Sequence, residues 1–277
     1  MIRLLALDID DTLIRGSQEV RAENLEAVAE AKRTGVMVTI VTGRRWQNSA
    51  EKYAKLLETV WPVGTVYGAR LIDARTGRMF KHTPIDKDVS LEIVSFAEEK
   101  GFAVSVLLDE TVYLNRRIAW GERPAWTSVV IEPGVMQKVV ACAEGPTNLM
   151  IWEPEGVEEV AAAFSRRLAG KADFMFHHPD GIQNGAMTVV NVEANKGRAL
   201  LDICGVLQVD PSEVLAMGDS SADIPMIQAA GIGVAMGWAE DEVRRAADEV
   251  ADPEDPHPVA TMIRRHILGG NGQSGAN

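Results

Sequence analysis

The sequence predicts an α/β protein with a doubly wound parallel sheet, interrupted by a second domain of different texture. Three observations carry that prediction. Short, nearly continuous apolar runs alternate with helix-period segments at both ends of the chain, the pattern of a parallel sheet covered on both faces. The middle of the chain instead pairs short alternating runs around turn residues, as hairpins do. The length of 277 residues allows one large domain or two of ordinary size, and the change of texture favours two.

The first run, IRLLALDIDDTL over residues 2–13, drives an apolar strand into Asp8, Asp10, Asp11 and Thr12. Residues 22–33 place Leu25, Val28, Ala29 and Lys32 at helical spacing, and Gly35 follows as a cap. Residues 36–41 read as a second buried strand that ends at Thr42, Gly43 and Arg44. A helix over 46–58 and a third apolar strand over 63–67 come next, and the alternation implies right-handed crossovers. Residues 71–80 form a hairpin around Thr76 and Gly77, and a second hairpin pairs 104–108 with 112–114. A helix over 157–168 carries Val160, Ala161, Phe164 and Leu168 on one face. From Asn195 the alternation resumes: helix 196–207, strand 214–217, helix 224–230, strand 232–235, a short strand within 246–251 and helix 258–268. The expected division is core over 1–82 and 191–268, an inserted domain over 83–190, and a mobile Gly-rich tail over 269–277.

The formal net charge of −12 argues against nucleic acid or an anionic membrane as partner, because both require clustered Lys and Arg. A phosphorylated small molecule is compatible, since a bound cation and a few basic groups reverse the field inside a cleft. No uncharged apolar stretch of 18 residues occurs, and the start turns acidic too soon for a signal peptide, so a cytoplasmic location is expected. Cys142 and Cys204, each in an apolar stretch, read as buried thiols, and two cysteines alone do not make a zinc site.

Four clusters fall at strand ends or helix starts. They are DIDDT at 8–12, VTGR at 41–44, NKG at 195–197 and GDSSAD at 218–223. Ligands of parallel sheets gather at the carboxyl ends of strands. Carboxylates crowded there repel one another and stay charged only with a cation, a shared proton or open water. Mg²⁺ meets that need, as a hard ion that takes oxygen ligands and keeps waters for a phosphate to replace. Each cluster also has a plainer reading: Asp and Thr cap turns, Thr-Gly ends strands, and a lone Lys is most often solvated.

Taken in order, the four clusters resemble the haloacid dehalogenase superfamily of phosphohydrolases, and the resemblance covers nearly the whole chain. It implies a Rossmann-like core with Asp8 as nucleophile, forming an aspartyl-phosphate, and Asp10 as general acid and base. Thr42, with Gly43 and Arg44 beside it, and Lys196 would hold the phosphoryl group. Asp8, the backbone carbonyl of Asp10, Asp219 and Asp223 would hold or support Mg²⁺. An insertion between the second and third clusters resembles the C2-capped branch, which carries an α+β cap. Within that branch GARLID at 68–73, VAMGWAEDEVRRAADEV at 234–250 and PVATMI at 258–263 resemble the Cof-type subfamily, mostly phosphatases of sugar phosphates and related metabolites.

The resemblance has departures. Tyr67, Ala222 and Trp238 stand where that subfamily usually has Asn, and His257 and Pro258 replace a Gly. Tyr67 and Trp238 would narrow the cleft, stack on a ligand or simply pack. Arg44 and Arg45 are candidates to grip an anion, and His177, His178 and Asn184 flank a turn of the inserted domain; Arg116, Arg117 and Trp120 have no assigned role. The expected activity is Mg²⁺-dependent hydrolysis of a small phosphorylated metabolite, by a monomer or homodimer whose cap closes over the site. The alternatives are a phosphomutase of the same capped class and a non-catalytic phosphometabolite-binding protein.

Overall fold

The computed structural model describes residues 1–16, 19–59, 62–116, 128–132, 134–152, 164, 166–177 and 186–269. The chain divides into two compact units, Met1–Lys81 with Asn195–Asn277, and His82–Ala194. The second crossing therefore falls after residue 194, four residues beyond the boundary read from the sequence.

The first unit is built on a parallel five-stranded sheet. Its strands are β1 (Leu4–Leu7), β2 (Met37–Ile40), β12 (Val214–Gly218), β13 (Ile232–Ala235) and β14 (Glu249–Val250), in the order β14-β13-β12-β1-β2. The order reverses direction at β1, with β2 on one side and β12 on the other. That is the switch point where such sheets open a crevice beyond their strand ends.

Side chains alternate across β1 as the strand period requires. Leu5 and Leu7 join a core with Val28 and Ala31 of α1 (Ala22–Arg33) and with Val259 and Ile263 of the last helix, Pro258–His266. Leu4 and Ala6 face the opposite layer, with Leu200 and Ile203 of the helix Lys196–Leu207 and Met226 of the helix Ile224–Ala229. Strands buried on both faces explain the continuous apolar runs.

A three-stranded sheet joins β3 (Val63–Thr65), β4 (Arg70–Ile72) and β5 (Met79–His82), with the hairpin turn at Thr76 and Gly77 as expected. Two elements differ from the sequence reading. The third strand stops at Thr65, because Val66, Tyr67 and Gly68 all take positive φ and form a tight left-handed turn. The helix expected over 46–58 starts as a π-turn, Trp46–Ala50, and is α-helical only over Glu51–Leu56.

The second unit carries its own six-stranded sheet, in the order β10 (Ala172–His177), β11 (Ala186–Asn191), β9 (Asn148–Trp152), β6 (Ala103–Leu108), β7 (Thr111–Leu114), β8 (Ser128–Val130). All neighbours are antiparallel except β7 with β8. The helices Lys87–Glu99 and Val135–Cys142 contribute Ile93, Val94, Met136 and Val140 to a core shared with Val104, Val106, Leu149 and Val189. Phe164 and Leu168 are buried there, whereas most of the helix expected over 157–168 lies outside the described residues. Arg117, Trp120, His178 and Asn184 also lie outside them. Among the described residues no helix is long and apolar enough to cross a membrane.

Candidate active site

Four short connections of the first unit meet beyond the carboxyl ends of β1, β2 and β12. β1 is held on both sides by parallel partners, and the Asp8 N–H donates to the Met217 carbonyl at 3.1 Å, so Asp8 is the last residue locked into the sheet. Its side chain is almost fully buried, at 5% exposure. The chain then curls back, with Asp11 at φ 53° and the Ile14 N–H on the Ile9 carbonyl. That curl turns Asp10 outward, where its carboxylate is 54% exposed.

Lys196 reaches the same point from the opposite layer. Asn195 caps its helix by accepting from the Arg198 N–H at 2.8 Å, which fixes the first turn. The buried Lys196 Nζ then donates to Asp8 Oδ1 at 2.7 Å and to Asp223 Oδ1 at 2.6 Å. The other oxygen of Asp223 accepts from the Ser220 hydroxyl at 2.7 Å and the Ser220 N–H at 3.1 Å. Gly218 is required where β12 ends, since a Cβ there would lie 2.4 Å from the Asp223 side chain. Asp219 points into the same space, accepting from the Thr12 hydroxyl at 2.7 Å.

The charges are mutually dependent. Burial pushes the Asp8 carboxyl well above its ordinary range, aided by Asp223 and Asp219 and opposed by Lys196. Burial alone would lower the Lys196 ammonium, but Asp223 and Asp8 outweigh it and hold the cation charged. Asp219 is pushed up to about 7, first by desolvation, with the Thr12 hydrogen bond working against the shift. One lysine for three carboxylates leaves the centre short of positive charge.

Oxygen atoms of Asp8, Asp219 and Asp223 lie within 4.8 Å of one another. An octahedral ion with bonds of about 2.1 Å spans roughly 4.2 Å between opposite ligands, and its preferred ligands are oxygens. The donor set and its charge deficit therefore fit a small hard divalent cation. The Asp10 carboxylate is not in that group: Arg44 grips it in a bidentate pair, Nε to Oδ2 at 2.7 Å and a terminal nitrogen to Oδ1 at 2.6 Å. Burial works against the Arg44 charge, but Asp10 more than restores it and raises the guanidinium.

Thr42 is fully buried at the end of β2, with its N–H on the Gly64 carbonyl and its hydroxyl accepting from the Arg44 N–H at 3.1 Å. Gly43, next to it, is covered by the ring of Tyr67. Trp238 braces the curl that follows β1. Its indole N–H donates to the Asp11 carbonyl at 2.8 Å, and the Arg15 guanidinium lies 3.8 Å over the ring.

The structure thus brings Asp8, Lys196, Asp219 and Asp223 into one cluster, with Asp10 and Arg44 paired beside it. The sequence offered no sign of the Arg44–Asp10 pair, which joins the loops that follow two neighbouring strands. It also left Thr12 and Ser220 without roles, although a hydroxyl beside clustered acids is the available signal.

A doubly wound core, an inserted second unit and an acidic centre bridged by lysine at the switch point define the class: a Rossmann-like enzyme of the capped type. The chain belongs to the haloacid dehalogenase-like hydrolases, whose family model matches residues 5–263. Phosphatase YwpJ of Bacillus subtilis (strain 168) is 26% identical over 96% of this chain and all of the relative. The 5-amino-6-(5-phospho-D-ribitylamino)uracil phosphatase YcsE of the same organism is 28% identical over 96% of each chain. Among solved structures, the phosphatase BT1666 of Bacteroides thetaiotaomicron superposes with a TM-score of 0.79 at 25% identity, over 96% of this chain and 95% of that one.

Proposed function

We propose that this protein is a Mg²⁺-dependent phosphatase of a small phosphorylated metabolite that works through an aspartyl-phosphate on Asp8. The observation that carries the reading is the buried Asp8 carboxylate, joined by Lys196 to Asp223, with Asp10 half-exposed two residues away. A buried carboxylate beside a fixed cation suits attack on phosphorus, whereas one open to water on one side suits proton transfer.

In this reading Asp8 attacks the phosphorus atom and the bond to the leaving oxygen breaks. Asp10, protonated from solvent once it lets go of Arg44, gives that oxygen its proton, so the alcohol leaves neutral. The ionised Asp10 then takes a proton from water, the water oxygen attacks phosphorus, and the Asp8 carboxylate departs with release of phosphate. Lys196 and the Thr42 hydroxyl hold the phosphoryl oxygens during both steps, and Arg44 favours the ionised Asp10 that the second step needs. The metal held by Asp8, Asp219, Asp223 and the Asp10 backbone would neutralise the carboxylates against an incoming dianion.

The relatives named for phosphatase activity support the reaction type, and the ribityl-linked phosphate in the name of one supports a small phosphorylated metabolite as substrate. The test is phosphate release from a panel of sugar phosphates, nucleotides, phosphoglycolate and an aryl phosphate, with Mg²⁺ or with EDTA. Turnover that requires both Mg²⁺ and Asp8, abolished by Asp8→Asn, is the expected result. Phosphate moved within a substrate instead of released would mark a mutase. Ligand binding without turnover by the folded, Mg²⁺-loaded chain would overturn the enzymatic reading.

A further inference from the structure

The left-handed turn Val66–Gly68 has φ values of 50°, 58° and 94°, a conformation that suits Gly or Asn and not Val or Tyr. Tertiary contacts on both sides hold it there. The Val66 N–H donates to the Arg44 carbonyl at 2.9 Å, and the Tyr67 N–H to the Thr42 carbonyl at 3.0 Å. Gly68 packs so closely on the Asn195 carbonyl that a Cβ would lie 2.4 Å from it. The turn is thus wedged between the 42–44 loop and the start of the helix that carries Lys196.

This backbone lays the Tyr67 ring over Gly43. A Cβ on Gly43 would lie 2.7 Å from two ring carbons and 3.0 Å from the phenol oxygen, so the hydroxyl end of the ring covers the 42–44 loop. Tyr67 as a residue is half-buried. Burial first, opposed by Lys196 and aided by Asp8, Asp10 and Asp223, pushes the phenol up to about 12. Gly43 leaves the room that the ring occupies, and the chain accepts a strained backbone to put it there.

We propose that the Tyr67 hydroxyl donates a hydrogen bond to a phosphoryl oxygen held over Thr42 and Gly43, making Tyr67 a further phosphate-contacting residue of this chain. The proposal rests on the reading of Asp8, Thr42 and Lys196 as phosphoryl-handling groups. A neutral donor at this point adds affinity for the phosphoryl group without adding charge beside Lys196.

Tyr67→Phe keeps the ring on Gly43 and removes only the hydroxyl. The expected result is a loss of about 10- to 100-fold in kcat/KM toward an aryl phosphate, the scale of one lost hydrogen bond to a charged group. Affinity for inorganic phosphate in the presence of Mg²⁺, measured by calorimetry, should weaken by about tenfold or more. Phosphate affinity equal to that of the unaltered chain would overturn the proposal, since a packing role survives in Phe. The phosphate arm separates failure of this contact from failure of the phosphatase reading, because it needs no turnover.

A second measurement needs no variant at Tyr67. The chain has three tyrosines, Tyr53, Tyr67 and Tyr113. Carbon-13 labelling of the tyrosine Cζ therefore gives three signals, and Tyr53→Phe and Tyr113→Phe assign that of Tyr67 by elimination. A shift of the Tyr67 signal on phosphate addition supports the contact, and an unmoved signal at saturating phosphate overturns it.

Discussion

Asp8 and Asp10 are two positions apart, and their surroundings differ because a strand's successive side chains part company where the sheet ends. Asp8 is sealed against Lys196 and Asp223, while Asp10 faces water under the hold of Arg44. Lys196→Met would leave the Asp8 and Asp223 carboxylates buried without their cation, and removing one member of a buried pair costs about 3–5 kcal/mol. A urea titration of the Mg²⁺-free variant checks this through its midpoint. A second prediction concerns Cys204, which is buried; desolvation, with Asp210 adding to it, pushes its thiol up to about 11. An ordinary thiol ionises near 9, so burial of the neutral form contributes stability that is fully present below about pH 9 and is lost as pH rises through about 11. In a Cys142→Ser background, Ellman's reagent at pH 8 should react slowly with the native chain and quickly in guanidinium. The acids and the lysine of the cluster were legible in the sequence because their types and order resemble those of a known family. The Arg44–Asp10 pair was not, because it joins residues 34 positions apart that meet only when β1 and β2 pair.

At the scale of elements, apolar periodicity identified the parallel strands because both faces of each are buried. It misread residues 66 and 67, whose Val and Tyr favour strands, because hydrogen bonds to the carbonyls of Arg44 and Thr42 override that preference. It also placed an unbroken helix over 46–58 where the chain begins with a π-turn, a form without a sequence signature of its own. The helix Lys196–Leu207 was read correctly at both ends. Its cap makes a direct link between element and site, because Asn195 fixes the turn on which Lys196 stands. Asn195→Ala should destabilise the chain by about 1 kcal/mol, within the usual 0.5–2 for a lost cap. Turnover per folded molecule should fall as well, checked by thermal melts beside activity assays, whereas Asn195→Ser should retain most of both.

For the whole molecule, the different sheets of the two units account for the change of texture along the sequence: one sheet is parallel with an apolar layer on each face, the other mixed and largely antiparallel. The first unit concentrates carboxylates at one end of its sheet, and the proposed metal site predicts that a divalent cation binds the folded form in preference to the unfolded one. Mg²⁺ at a hundredfold its Kd should therefore stabilise the chain by about 2.7 kcal/mol, raising the melting temperature. Asp219→Asn, which removes the charge of one proposed ligand, should reduce that response strongly, with Ca²⁺ and EDTA as controls. The sequence by itself determined the α/β class, the inserted unit and the four clusters, since these follow from local periodicity and residue chemistry. Only the tertiary structure decided which oxygen of which acid meets Lys196, that Arg44 pairs with Asp10, and that Tyr67 covers Gly43. Those contacts join residues distant in the chain, and their geometry is set by strand register and by the turn wedged between two loops, neither of which a local pattern encodes.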